Sequence, residues 1–240
     1  MALKHAHRWA ECLAACDRAV ALAPDDSAGP RWNAGIAATA LRDWARARDA
    51  WAGYGIDIPP GDGPLEMSIG FACVRLDPER ESEVVYVKRV DPCRARIISI
   101  PLPESQRRFD DLVLHDGEPR GARQLGDARV SVFDELLLLE RSPYATWRVT
   151  VQCDTPDERD GLLEIYRDVD GAIEDWTESV ALLCNECSLG DVCHDHRSTT
   201  AAWRTERQLG LALRGDRELR RLRRFAWGWR RGILDVSRVL

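Results

Sequence analysis

The donor atoms best suited to metal chemistry lie between positions 184 and 196, in the run Cys184-Asn-Glu-Cys187-Ser-Leu-Gly-Asp-Val-Cys193-His194-Asp-His196. A C-x2-C turn points two thiolates at one centre, and zinc takes four sulfur or nitrogen ligands in a tetrahedron. Gly190 stands between the two halves, where the chain must reverse and a positive φ costs glycine least. Cys193 and His194 are neighbours and compete for one position. His194 and His196, two apart, point the same way in an extended segment. The expected ligand set is Cys184, Cys187, His194 and His196, with Cys193 as the alternative metal ligand. The two ligand pairs are closer together than in most zinc sites, and three buried thiols beside two surface histidines are the plain alternative. Four protein ligands close the coordination sphere, so the expected cofactor is a structural Zn2+, contributing on the order of 10 kcal/mol to folding. A catalytic zinc needs an open position and a positioned base; Glu186 and Asp195 are near in sequence, but nothing positions them. The H-x-E element of the zinc deaminases is missing.

A second group, Asp110, Asp111, His115 and Asp116, invites a second metal or an acid–base pair, since Asp111 and His115 share a face if they lie on one strand. Carboxylates ahead of an Asp-Gly turn are equally ordinary turn chemistry. The chain contains no G-x-x-x-x-G-K-[ST], G-x-G-x-x-G or G-x-S-x-G sequence.

The elements that position these groups fall into four stretches. Residues 1–60 carry helical periodicity, and two segments align: Trp9, Cys12, Cys16 and Pro24 recur 35 residues later as Trp44, Ala47, Trp51 and Pro59. That period and punctuation resemble the tetratricopeptide repeat (TPR). The resemblance implies that Gly35 is the small residue that lets the paired helix approach. It also implies that Trp9 and Trp44 open second helices, and that Ala47 and Trp51 pack between helices. It covers about one and a half repeats, because the chain starts at a second helix and Cys16 stands where a large aromatic is usual. Such stacks need about three units to bury a continuous core. One face is therefore expected to be covered by the chain's own next domain, by another chain (a second copy included), or by residues upstream of Met1. On this reading the helical face binds another protein, through Trp9, Trp32, Arg31 and Arg42.

From Gly61 to residue 153 the period shifts towards two. Expected strands lie at about 65–76, 83–90, 94–100, 109–115, 129–140 and 145–153, which predicts an antiparallel β barrel or sandwich. Leu136–Leu139 fits either a buried strand or a helical turn, and Gly117 and Gly121 read as loop glycines. Residues 154–196 read as a helical pair ending in the zinc knuckle: Asp154-Thr155-Pro156 starts one helix, and Ile173, Trp176, Val180 and Leu183 give a second at 172–183. The stretches Pro101-Leu-Pro-Glu-Ser, Asp134-Glu135-Leu136 and Glu174-Asp-Trp-Thr, followed by the Cys/His cluster, are similar to bacterial proteins carrying TPRs, which bring no activity with them. The expected fold class is thus α+β: TPR-like helical hairpins, a β barrel or sandwich, then C-terminal helices with a zinc knuckle.

Residues 197–240 read as a basic amphipathic helical tail. Residues 200–240 hold eleven arginines against four acidic residues, a net of +7, which leaves −13 for the first 199. Arg220, Arg221, Arg223, Arg224, Trp227, Trp229, Arg230 and Arg231 are its candidate contacts to nucleic acid, an anionic membrane surface or the acidic body of the protein. Lysine occurs only at positions 4 and 88. A chain of 240 residues with 45% hydrophobic and 31% charged content is globular in composition. No run of 18 apolar residues and no secretory leader is evident, so a cytoplasmic setting with reduced thiols is expected. Together these features predict a non-enzymatic protein-binding adaptor or regulatory protein stabilised by zinc, with no small-molecule substrate. The alternatives are a metal-dependent enzyme using the Cys/His cluster, or a nucleic-acid or membrane binder working through the tail.

Overall fold

A computed structural model describes residues 2–79, 83–125, 127–164, 170–179, 203–215, 217, 219–220 and 233–240. The chain opens with four helices, α1 (Ala2–His5), α2 (Trp9–Leu22), α3 (Ala28–Ala40) and α4 (Trp44–Tyr54). Helices α2 and α4 begin at the two tryptophans that the aligned segments pair. The Asp43 carboxylate accepts from the Arg46 N–H at 3.2 Å, capping the start of α4, and Gly55 ends it at φ +105°. A Cβ on Gly35 would lie 2.5 Å from the Trp51 indole. The missing side chain therefore lets α3 and α4 close around Trp51, which is fully buried.

Six strands follow: β1 (Gly70–Leu76), β2 (Glu83–Arg89), β3 (Arg94–Ile97), β4 (Leu112–His115), β5 (Gly121–Leu125) and β6 (Ala128–Glu140). Pairing runs β1-β2-β3-β4-β6, and β6 returns to β1. Four antiparallel steps reverse the chain direction four times, so the fifth strand closes the ring parallel to the first. Hairpin strand β5 pairs with the first part of β6, outside that ring. Alternate residues point inward: Ala72, Val74 and Leu76, then Val85 and Val87, Ala95 and Ile97, Val113, Phe133 and Leu138. Leu114 and Leu136 point outward and join the helical core with Leu65 and Cys93. The helices thus seat on the β4–β6 side of the barrel.

The remaining strands, β7 (Ala145–Gln152), β8 (Gly171–Asp175), β9 (Glu206–Leu213) and β10 (Ile233–Arg238), form a second antiparallel sheet in the order β10-β7-β9-β8. One face buries Val149, Val151, Leu209, Leu211 and Leu213 with Leu162 of α5 (Pro156–Glu164). The other sets Ala172 and Ala212 against Ile100, Tyr144 and Trp176. Trp176 opens the short α6 (Trp176–Ser179) and donates its indole N–H to the Ile100 carbonyl at 2.9 Å. A Cβ on Gly210 would come within 2.3 Å of that indole, so this glycine admits the ring that ties the second sheet to the barrel.

This architecture corrects the expected fold class. The part expected to be C-terminal helices with a zinc knuckle is built on the second sheet. Within the expected helix at 172–183, the described residues up to Ser179 are the strand β8 followed by α6, and the expected basic helical tail contributes β9 and β10. The middle is a closed barrel, and the expected strand at 145–153 leaves it to enter the second sheet. No group of three or more His, Cys, Asp or Glu side chains suited to a metal occurs among the described residues, and the run Cys184–His196 lies outside them. The physical reason is the burial pattern. Strand β9 is buried on both faces over most of its length, so its apolar residues lose the strict alternation that marks a half-buried strand. Ile173 and Trp176, three apart, satisfy a helical period although only the second of them is helical.

Candidate functional site

A set of charged side chains lies buried at the seam between helices and barrel. Lys4 of α1 donates to Asp116 Oδ1 at 2.5 Å, and both side chains are shielded from solvent. Trp32 of α3 donates its indole N–H to the Asp116 carbonyl at 3.1 Å. Gly117, at φ +75°, leaves room for that indole, which would lie 2.4 Å from a Cβ. On the neighbouring strands Arg75 donates to Asp134 at 2.8 Å and Arg120 donates to the other oxygen of Asp134 at 3.0 Å. Charges at this depth persist because each acid has a cationic partner; the cluster locks α1 and α3 to the barrel.

His115 follows a different logic. Its position on β4 alternates with Val113, so its ring enters the barrel and stacks on Phe133, with centroids 4.7 Å apart. Neither ring nitrogen has a hydrogen-bond partner. Burial, with the Arg89 guanidinium as a second cause, pushes the imidazole down to about 3. Asp111 and His115 do not come together. The Asp111 carboxylate accepts from the backbone N–H groups of Arg108 and Ser142, at 2.9 and 2.7 Å, which is turn chemistry. Burial also pushes the Cys16, Cys73 and Cys153 thiols up to about 11, so the thiolate, the reactive form, is scarce there at neutral pH.

The barrel's outer surface is divided. The β4–β6 side carries the helices, and on the β1–β2–β3 side Cys73, Arg75 and Arg94 of the outer face are also buried, so the accessible part is the stretch around Phe71 and Lys88. Register places Phe71, Lys88 and Arg96 in one cross-strand row. Directly paired residues share a face, and the inward row beside them is Ala72, Val87 and Ile97. The next outward row contains Tyr86, and Ile98 follows it, donating its backbone N–H to the Tyr86 carbonyl. Phe71 is 53% exposed, and Ile69 and Ile98 are each 39% exposed. These are three of the seven large apolar side chains exposed among the described residues. Lys88 is exposed and has no ion-pair partner among the described residues. Arg96 donates to the Asp110 carbonyl at 3.3 Å and lies 3.8 Å from Glu140.

A cavity of about 730 Å3 sits beside the second sheet between Leu102, Trp176, Trp203 and the β9 residues Glu206 and Gln208. Trp203 donates to the Cys153 carbonyl at 2.9 Å and lies under the Arg207 guanidinium, 4.3 Å from its centroid. Arg207 is held in turn by Asp175 at 2.9 Å. The aromatic walls are thus committed to packing.

The expected partner-binding residues are mostly engaged within the molecule. Trp9 packs half-buried on the helical core, and Trp32 bonds Asp116. Arg42 donates to the Leu139 carbonyl at 3.3 Å and Arg31 to Ser27 Oγ at 3.0 Å. The outer surface of α2 exposes Ala10, Glu11, Ala14, Asp17, Arg18 and Ala21, mostly small or charged residues, with Leu22 exposed at its end. Of the expected tail contacts, Arg220 is exposed. Arg221, Arg223, Arg224, Trp227, Trp229, Arg230 and Arg231 lie outside the described residues, as do Cys184, Cys187, Cys193, His194 and His196. The open row on β1–β3 went unread in the sequence. The alternation from Val84 to Val90 marks Tyr86 and Lys88 as one face, but only the register brings Phe71 and Arg96 beside them. Comparison with protein-family models, with curated proteins and with solved structures finds no match to this chain.

Proposed function

We propose that this chain is a non-enzymatic binding protein in which the helices and the second sheet brace the barrel, and the partner seats on the open outer face of β1, β2 and β3. The observation that carries the reading is the exposed row of Phe71, Lys88 and Arg96 beside Ile69, Tyr86 and Ile98. It is an apolar and cationic surface on a barrel whose opposite side is already covered. The buried titratable groups support it, because Asp111, Asp116 and Asp134 are all engaged in turns or ion pairs that hold the fold together. The non-enzymatic binding role expected from the sequence is kept, with its contact surface moved from the helices to the barrel. A structural Zn2+ on Cys184, Cys187 and His194 with His196 remains part of the proposal, supported by residue spacing and tested by the metal content of the purified protein. A cytoplasmic setting is proposed with it, supported by the five free cysteines among the described residues. No helix among the described residues is long and apolar enough to cross a membrane.

The test is affinity capture with the full chain and with Phe71→Glu. Phe71 is mostly exposed, so the variant keeps its fold, checked by its melting temperature. The expected result is that material retained by the wild-type protein is lost by the variant. Equal retention by both proteins refutes the assignment of the surface.

A further inference from the structure

We infer that the open face of β1–β3 binds single-stranded nucleic acid, a statement that rests on the binding reading above and names the partner's chemistry. Three features of the face argue for it. First, it presents aromatic surface at the strand positions where a small closed barrel has room for bases. Phe71 is more than half exposed, and Tyr86 lies diagonally across the β1–β2 pair. A ring on a sheet surface stacks on any base, because every base has a π-face, and stacking is the usual contact on barrel platforms of this size.

Second, the cations stand beside the rings. Lys88 is directly opposite Phe71, and Arg96 is directly opposite Lys88. With strands about 4.8 Å apart, the three side chains leave the surface within roughly 10 Å of one another. A backbone phosphate can therefore reach a charge while its base lies on a ring. The charge arrangement is specific to this place. The first 199 residues carry a net −13, a body that repels polyanions in general. A local cationic row on that body gives such a ligand a place to land. One of the protein's two lysines is spent here, unpaired among the described residues, while the other is buried against Asp116. Arg96 is shared with Asp110 and Glu140, so Lys88 is the principal phosphate contact.

Third, the apolar part of the row is too small and too interrupted by charge to serve as a hydrophobic protein interface. Ile69 and Ile98 lie at its two ends, with Lys88 and Arg96 between them.

The experiment is fluorescence anisotropy of the full chain against labelled oligothymidine and oligouridine of about 12 nucleotides, a length within the usual footprint of one barrel. It is run over a salt series with wild type, Phe71→Ala and Lys88→Glu. The expected result is salt-dependent binding of at least one probe. Phe71→Ala should weaken it on the order of tenfold, the effect of losing one stacked base. Lys88→Glu should flatten the log–log salt dependence by about 0.7, the value for one phosphate on a single strand. The two probes report whether the ligand is DNA or RNA. No binding of either probe overturns the inference. So does binding that Phe71→Ala and Lys88→Glu leave unchanged, which would place it on the arginine-rich C-terminal stretch. If neither oligonucleotide binds but Phe71→Glu still loses its captured material, the face is a binding surface for something else, and the nucleic-acid assignment alone falls.

Discussion

His115 makes the fold acid-sensitive in a way that one substitution can isolate. Its imidazole sits inside the barrel with both nitrogens unpartnered, so folding holds it neutral and lowers it from about 6.5 to about 3. A group depressed in the folded state binds its proton more readily when unfolded. Stability is therefore intact above about 6.5 and falls as pH drops through the window from 6.5 to 3. Each pH unit inside that window corresponds to about 1.4 kcal/mol. At pH 5 the loss from this one group is about 2 kcal/mol. For a chain of this length that lowers Tm by roughly 4–8 °C. The perturbation is His115→Leu, which fills the site with an apolar side chain beside Phe133 and removes the proton acceptor. The assay is thermal unfolding of both proteins at pH 7.5 and pH 5. His5 and His7 are exposed, and all four other histidines are common to both proteins, so the difference between the two pH responses reports His115. The wild type is expected to lose roughly 4–8 °C more than the variant on acidification. Parallel pH responses would refute the reasoning, because they would mean that the ring reaches water or a partner that accepts its charge.

Two further outcomes follow from the packing. Gly35→Ala places a methyl group against the Trp51 indole, 2.5 Å away; the overpacking costs about 1–3 kcal/mol, read as a lower denaturant midpoint, whereas Gly29→Ala, exposed on the same helix with nothing within 4 Å of the added Cβ, does not lower it. Lys4→Met strands the buried Asp116 carboxylate and destabilises the protein by about 3 kcal/mol. Adding Asp116→Asn recovers part of that loss, since no unpaired charge remains, and a double variant no more stable than Lys4→Met would show that the pair is not what anchors α1.

Much of the helical region and of the barrel is local, and that part was legible. Trp9 and Trp44 begin helices where the aligned segments put them, and Gly35 meets Trp51. The runs near 70–76, 83–89, 94–97 and 128–140 are strands; period-two alternation, a local record of one buried face, is clear in 83–89, and turn residues bound the others. Strand β5 was missed because Gly121 opens it and Arg123 and Gln124 lack an apolar alternation; its pairing with β6 supplies what the residues do not. β8 reads as a helix because Ile173 and Trp176 stand three apart, and β9 was missed for the opposite reason to β5. When both faces of a strand are covered, the apolar positions no longer alternate, and helix and strand become indistinguishable over five to eight residues.

The sequence by itself determined where the backbone can turn, which helices start on an aromatic and which side chains alternate, because those depend on neighbours a few positions away. Only the tertiary structure decided that the face left open by the short helical stack is covered by Leu114 and Leu136, that His115 is inside the barrel, and that Phe71, Lys88 and Arg96 form one row. Each of those is set by strand register and by which element packs on which, quantities fixed by contacts between residues far apart in the chain.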